Sequence, residues 1–156
     1  MSVRRILEPA REIDVIHETD VLVVGSGPAG LSAALAGARA GVDVTLVERF
    51  GCLGGNLTAV GVEGLAWYRR EGTIDAGGIA REYEDRAFEM GAAVPESQSL
   101  SMEIDSEGFK VVADTLVEEA GVRPMLHRLV VAPLLEGNRV IGIITESKAG
   151  REAILG

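Results

Sequence analysis

The 156-residue chain predicts an α/β fold, a parallel sheet built on a βαβ unit and followed by a three-stranded antiparallel meander. Three observations carry that expectation. A short, nearly all-apolar run from Asp20 to Val24 leads into an alanine-rich stretch from Pro28 to Ala40, and a second apolar run, VDVTLV, follows at 42–47. Apolar runs of strand length without polar alternation belong to strands covered on both faces, as in a parallel sheet. From Met125 onward the tail breaks into β-rich runs separated by turn residues.

The elements can be taken in chain order. Residues 1–18 mix charge and apolar side chains without a clear period and read as an extended arm; residues 19–156 read as one domain. Asp20 to Val24 is the first strand, Pro28 to Ala40 the crossover helix, and Gly41 its stop, a usual place for glycine. Val42 to Val47 closes a βαβ unit whose crossover is right-handed. Residues 51–78 hold eight glycines and read as loop with at most a short helix. Two helices are expected at Gly78–Met90 and Phe109–Ala120; in the second, Phe109, Val112, Leu116 and Ala120 fall on one face. The polar segment 94–108 reads as a surface connection. Met125–Leu135, Arg139–Glu146 and Arg151–Leu155 read as the three strands of a meander over about 124–156. Glu136-Gly137-Asn138 and Ser147 to Gly150 supply its turns.

Composition narrows the function. Apolar residues make up 47%, enough for a packed core. A net charge of −9 and an aromatic content of 4% disfavour a nucleic-acid surface, which uses basic faces and stacking rings. Ala29 to Val42 is too short and too often interrupted to span a bilayer. The acidic residues after Arg4 and Arg5 are unlike a secretory signal. The single cysteine, Cys52, excludes an internal disulfide and fits a reducing compartment, so a cytoplasmic location is expected.

The chemistry concentrates in VVGSGPAGL. Gly25 permits the tight turn out of the strand, Gly27 lets a pyrophosphate approach the backbone, and Gly30 lets the helix pack closely on the sheet. Free N–H groups at the helix N-terminus, with the positive end of its dipole, favour the same phosphates. Pro28 falls at the first helical position, where its missing N–H costs nothing. Glu48 ends the second strand 18 residues after Gly30, near the spacing of the acid that holds a ribose. The pattern is Rossmann-like and implies a dinucleotide, NAD or FAD.

The residues after Glu48 bear on the choice between the two. The run DVLVVGSGPAGLSAALAGARAGVDVTLVERFGCLGGNLT, over about residues 19–60, resembles the N-terminal part of the FAD-dependent oxidoreductases with two dinucleotide-binding domains, of fumarate reductase and glutathione reductase type. LVVAPLLEGNRVIGIITESKAGREAIL is more weakly similar to the same family's meander. The resemblance implies FAD, held by Gly25, Ser26, Gly27, Pro28, Ala29 and Gly30 on the pyrophosphate and by Glu48 on the adenosine side, where Arg49 would either join it or form a surface ion pair. Gly54, Gly55 and Asn56 would approach the rest of the cofactor, and Val130 would meet the adenine through its main chain. Hydride or electron transfer between an unknown small-molecule substrate and the flavin is the activity implied.

Two alternatives stay open. One is an NAD(P)-binding oxidoreductase domain, for which Arg49 would face a 2′-phosphate. The other is a non-catalytic nucleotide-binding subunit that needs a partner chain. The resemblance also implies a further strand, with an Asp for the ribitol, and a substrate domain; relative to that family the fold expected here is incomplete, so a second chain or self-association is expected to complete it. No general acid or base stands out, and the catalytic residues are unknown. Cys52 lacks the second cysteine that a redox pair requires. His17 and His127 have no ligand cluster beside them, so no metal is expected, and His127 reads as a strand residue. Trp67, Tyr68, Arg69 and Arg70 would either border the flavin or simply pack.

Overall fold

A computed structural model describes residues 3–65, 69–72 and 74–156, with backbone only for Arg70, Ile74 and Asp75. In chain order the elements are β1 (Val15–Glu18), β2 (Val21–Val24), α1 (Pro28–Arg39), β3 (Val44–Val47), β4 (Arg69–Arg70), β5 (Ile74–Asp75) and α2 (Ile79–Glu89). β6 (Ala93–Pro95), β7 (Met102–Ile104), α3 (Ser106–Ala120), β8 (Arg123–Met125), β9 (Leu129–Glu136), β10 (Arg139–Ser147) and β11 (Gly150–Leu155) complete them.

The expected α/β architecture is present. β2, β3 and β8 form a parallel sheet in the order β2–β3–β8, with α1 as the first crossover. β3 is buried along its whole length and divides its side chains between two layers. Val44 and Leu46 join Leu31, Ala34 and Leu35 of α1 and Phe109, Val112 and Leu116 of α3 in the main core. Val47 faces the other way and packs with Ile143 and Ile154 of the meander. The two-residue period of a strand thus decides which layer each residue serves. Thr45 lies on the meander side as well, where its hydroxyl sits 2.9 Å from His17 Nε2 and ties β1 to the sheet.

The second sheet has the order β1–β11–β10–β9, with β9, β10 and β11 as the antiparallel meander and β1 added in parallel to β11. The last four residues of the segment read as an arm are therefore a strand, held because Val15–Glu18 finds the open edge of β11; residues 3–14 have no regular structure. The meander itself starts at Leu129. The run expected as one strand from Met125 to Leu135 is split, because Arg123–Met125 pairs with β3 as the third parallel strand. His127, expected in a strand, turns the chain between the two sheets with a positive φ of 57°.

Two further boundaries shift for local reasons. α3 begins three residues before Phe109, where Asp105 caps it by accepting a hydrogen bond from the Glu107 N–H at 3.0 Å. The segment 94–108, expected as a plain surface connection, contains an antiparallel β6–β7 ribbon that buries Ile104 against the core. Gly41 takes φ +88 just past α1, as the C-terminal stop requires.

Candidate functional site

The turn from β2 into α1 has the geometry that its three glycines suggest. Gly25 sits at φ +90, a region that side chains avoid. A Cβ on Gly30 would lie 1.9 Å from the carbonyl oxygen of Gly25, so only hydrogen fits where helix and strand meet. Gly27 differs from both: its φ is −60°, and a Cβ there would meet nothing within 4 Å. The protein itself leaves that space open. The first intrahelical bond runs from the Leu31 N–H to the Gly27 carbonyl, which leaves the amides of Ala29 and Gly30 ahead of the ladder at the positive end of the helix.

Glu48 closes the next strand and is only 5% exposed. Its Oε2 accepts hydrogen bonds from the Ser26 N–H at 2.8 Å and the Ser26 hydroxyl at 2.7 Å, and its Oε1 accepts one from the Phe50 N–H at 2.9 Å. Burial alone pushes the carboxyl pKa up. The bonds from the Ser26 hydroxyl and from the amides of Phe50, Ser26 and Arg49 outweigh it, so the group ionises below its ordinary value. The result is a fixed carboxylate at the rim of the glycine turn.

The second glycine group packs onto the first. The Gly54 N–H donates to the Ser26 carbonyl at 3.0 Å, and Gly54 stands at φ +103. Gly55, at φ +55, lies so close that a Cβ on it would be 2.6 Å from the Gly27 Cα. Residues 55–57 then make one 3₁₀ turn.

These segments surround a cleft of about 330 Å³ lined by Gly25, Glu48, Arg49, Gly55, Asn56 and Val130 among others. Six of the twelve residues singled out from the sequence thus meet at one opening. Ser26 and Gly54 are buried behind it, and Gly30 supports the turn from the helix side. Pro28 and Ala29 border a separate shallow hollow with Ser32, Leu65, Ala80 and Tyr83. Phe50, Val60, Arg128 and Leu129 also line the cleft and carry no motif that would single them out in the sequence. Arg49 lays its guanidinium over the Phe50 ring, 4.5 Å from the centroid, and Arg128 pairs with Glu152.

Other tempting residues have local partners. Arg69 forms a buried ion pair with Glu84 at 2.6 Å, which is packing chemistry. Trp67 and Tyr68 lie outside the described residues, as does the side chain of Arg70. Cys52 is half-buried beside Thr58. No helix among the described residues is long and apolar enough to cross a membrane.

A βαβ glycine turn, a carboxylate at the end of the second strand and a meander on the far face define a dinucleotide-binding domain of flavoprotein type. Residues 20–156 match the family of FAD dependent oxidoreductases, and the chain belongs to that family. It is 34% identical over 135 residues to the tRNA uridine 5-carboxymethylaminomethyl modification enzyme MnmG of Thermus thermophilus, a match that takes in 81% of this chain and 22% of that enzyme. It is also 34% identical over 141 residues to digeranylgeranylglycerophospholipid reductase 1 of Methanopyrus kandleri, covering 85% of this chain and 36% of the relative. Among solved structures, Thermovibrio ammonificans THI4 superposes with a TM-score of 0.60 at 19% identity, over 88% of this chain and 54% of that one. The open form of a flavocytochrome c3 fumarate reductase does so with 0.59 at 21% identity, over 90% of this chain and 32% of that one. These likenesses show the shared fold. The chain thus spans about a fifth to a third of the length of the two curated relatives described. FAD, expected from ERFGCLGGNLT, is the cofactor of the family.

Proposed function

We propose that this chain is the FAD-binding portion of a flavin-dependent oxidoreductase and that the cleft between the glycine turn and β9 takes the adenosine and pyrophosphate end of the cofactor. The observation that carries the proposal is an anionic Glu48 lining the cleft together with Gly55, which stacks directly on an open Gly27. Diphosphate needs bare backbone and a helix N-terminus; ribose hydroxyls need a fixed acceptor. The residues fit both needs. A cleft of about 330 Å³ is at the lower end of ligand pockets, as suits one end of an extended molecule.

Gly25, Gly27, Ala29 and Gly30 would hold the pyrophosphate, with Ser26 orienting Glu48 from behind and Pro28 setting the first helical turn. Glu48 would accept the ribose hydroxyls, Arg49 and Val130 would flank the adenine side, and Gly54, Gly55 and Asn56 would line the path beyond. When bound, FAD supplies hydride or electron transfer to a substrate. The chain's own residues bind and orient it. A carboxylate at the ribose position repels a 2′-phosphate, which favours FAD over NADP.

A second chain or a second copy would complete the sheet. β2 bonds to β3 through Val21 and Gly25, so the amides of Leu22 and Val24 face the other way, and Val24 is 52% exposed. Such an edge invites a further strand. One cysteine, half-buried, fits a reducing compartment such as the cytoplasm.

The test is an absorbance spectrum of the purified chain after incubation with FAD and removal of excess, with the solution mass recorded on the same sample. A flavin spectrum that persists, with FAD released on denaturation, supports the assignment. A colourless folded chain that binds NAD instead overturns it.

A further inference from the structure

His127 is the one residue other than glycine with a positive φ among the described residues. β-Sheet neighbours do not explain it, since it lies between β8 and β9. Non-glycine residues persist in the left-handed region where their surroundings impose it, and they gather at ligand sites. The surroundings here are specific. The His127 N–H donates to the Phe50 carbonyl at 3.1 Å, the Arg128 N–H donates to the Glu48 carbonyl at 2.9 Å, and the Glu48 N–H donates to the Met125 carbonyl at 2.9 Å. The imidazole rests on Gly51, where an added Cβ would be 2.5 Å from Cε1. Backbone and ring of one residue therefore grip the segment 48–51 that forms one wall of the cleft. Within that wall, Phe50 donates its N–H to the Glu48 carboxylate.

We propose that His127 is a positioning residue for the adenosine side of the cleft, its left-handed turn and its ring seated on Gly51 together holding the Glu48–Phe50 wall in place. A turn with no such duty would be served better by glycine, which takes this φ without strain. The inference rests on the assignment of the cleft to FAD, and the ring-on-glycine contact makes it separable from that assignment.

The experiment uses the full chain with His127→Gly, Gly51→Ala, the double variant and His127→Phe. Binding of FAD and of ADP, which carries only the adenosine and diphosphate half, is measured beside the melting temperature, and the Glu48 carboxyl is titrated by NMR. In His127→Gly the melting temperature holds or rises, while FAD and ADP bind about tenfold more weakly, the scale on which outer residues orient a binding group. The Glu48 titration moves up toward the ordinary carboxylate value as the Phe50 bond loosens. Gly51→Ala, which collides with the ring, weakens binding likewise. The double variant loses less than the sum of the two, because the new methyl occupies the room the ring has left. His127→Phe keeps a flat ring over Gly51 and retains affinity.

A folded His127→Gly with unchanged FAD and ADP affinity and an unmoved Glu48 titration overturns the proposal. If His127→Gly does not fold, Gly51→Ala decides by the same readings. If the wild-type chain binds neither FAD nor ADP, the cofactor assignment falls instead. The Glu48 titration then decides the positioning role alone: an upward move supports it and no move overturns it.

Discussion

The Ser26 N–H and the Ser26 hydroxyl both donate to the same oxygen of Glu48, at 2.8 and 2.7 Å. A residue of the first turn thereby fixes the acid that ends the following strand, 22 residues on, and the glycine loop and the carboxylate act as one unit.

Ser26→Ala removes one of those bonds and leaves the carboxylate buried with fewer donors, a loss of about 1.5–3 kcal/mol at neutral pH for a bond to a charged group. The pH dependence has a definite sign. The folded-state pKa of Glu48 is depressed, so its contribution is present above the unfolded value near 4.5 and is lost as pH falls through the folded value. The stability gap between wild type and Ser26→Ala is therefore full at pH 7 and shrinks below about pH 4. Urea unfolding at a series of pH values measures it, and a gap that grows on acidification contradicts the assignment.

Gly27→Ala and Gly30→Ala separate binding from folding. An alanine at 27 finds open space at an ordinary φ, so stability stays within about 0.5 kcal/mol of wild type while FAD affinity falls, because the methyl would stand where the diphosphate is proposed to approach. An alanine at 30 collides with a backbone carbonyl and costs at least ~1–3 kcal/mol of stability. Melting curves with and without FAD read both effects. A Gly27→Ala chain that binds FAD as tightly as wild type would place the diphosphate elsewhere.

The Arg69–Glu84 pair holds the segment after the glycine loops onto α2. Glu84 is fully buried and also accepts the Met102 N–H at 2.9 Å. Glu84→Ala removes a buried ion-pair partner at 2.6 Å and the acceptor of the Met102 amide, with an expected loss of about 3–5 kcal/mol in chemical denaturation. A loss below about 1 kcal/mol would mean that water already reaches the pair.

Tyr83 packs edge-on against Phe109, with centroids 5.8 Å apart, and its hydroxyl lies 2.8 Å from the Ser32 Oγ. Burial pushes its pKa up to about 12. A group with a raised folded-state pKa contributes stability that is whole below the unfolded value near 10 and is lost as pH climbs toward 12. Alkaline titration followed by tyrosine absorbance should show a late-titrating ring that Tyr83→Phe removes. Tyr83→Phe itself costs about 1 kcal/mol at neutral pH, because the ring packing remains.

The βαβ unit was legible because its signals are local. Gly25, Gly27, Gly30 and Glu48 lie within 24 residues, and each is explained by the strand or helix terminus it occupies. Strand and helix ends elsewhere were less legible. Nothing local in Arg123–Met125 marks a parallel strand, since its partner is β3, nearly eighty residues earlier. The cap at Asp105 is a short-range signal that starts α3 a turn before its apolar face begins. Val15–Glu18 alternates too little to announce a strand and becomes one only on the edge of β11.

By itself, then, the sequence determined the kind of unit this is, because turn glycines, helix stops and buried-strand runs act through the nearest few residues. The tertiary structure alone decided how the cleft is walled. It brought Val130, Arg128 and Leu129 opposite Glu48, stacked Gly55 on Gly27, and forced His127 into a left-handed turn over Gly51. Those contacts join residues far apart in the chain, so they exist only once the meander has packed on the parallel sheet through Val47, Ile143 and Ile154.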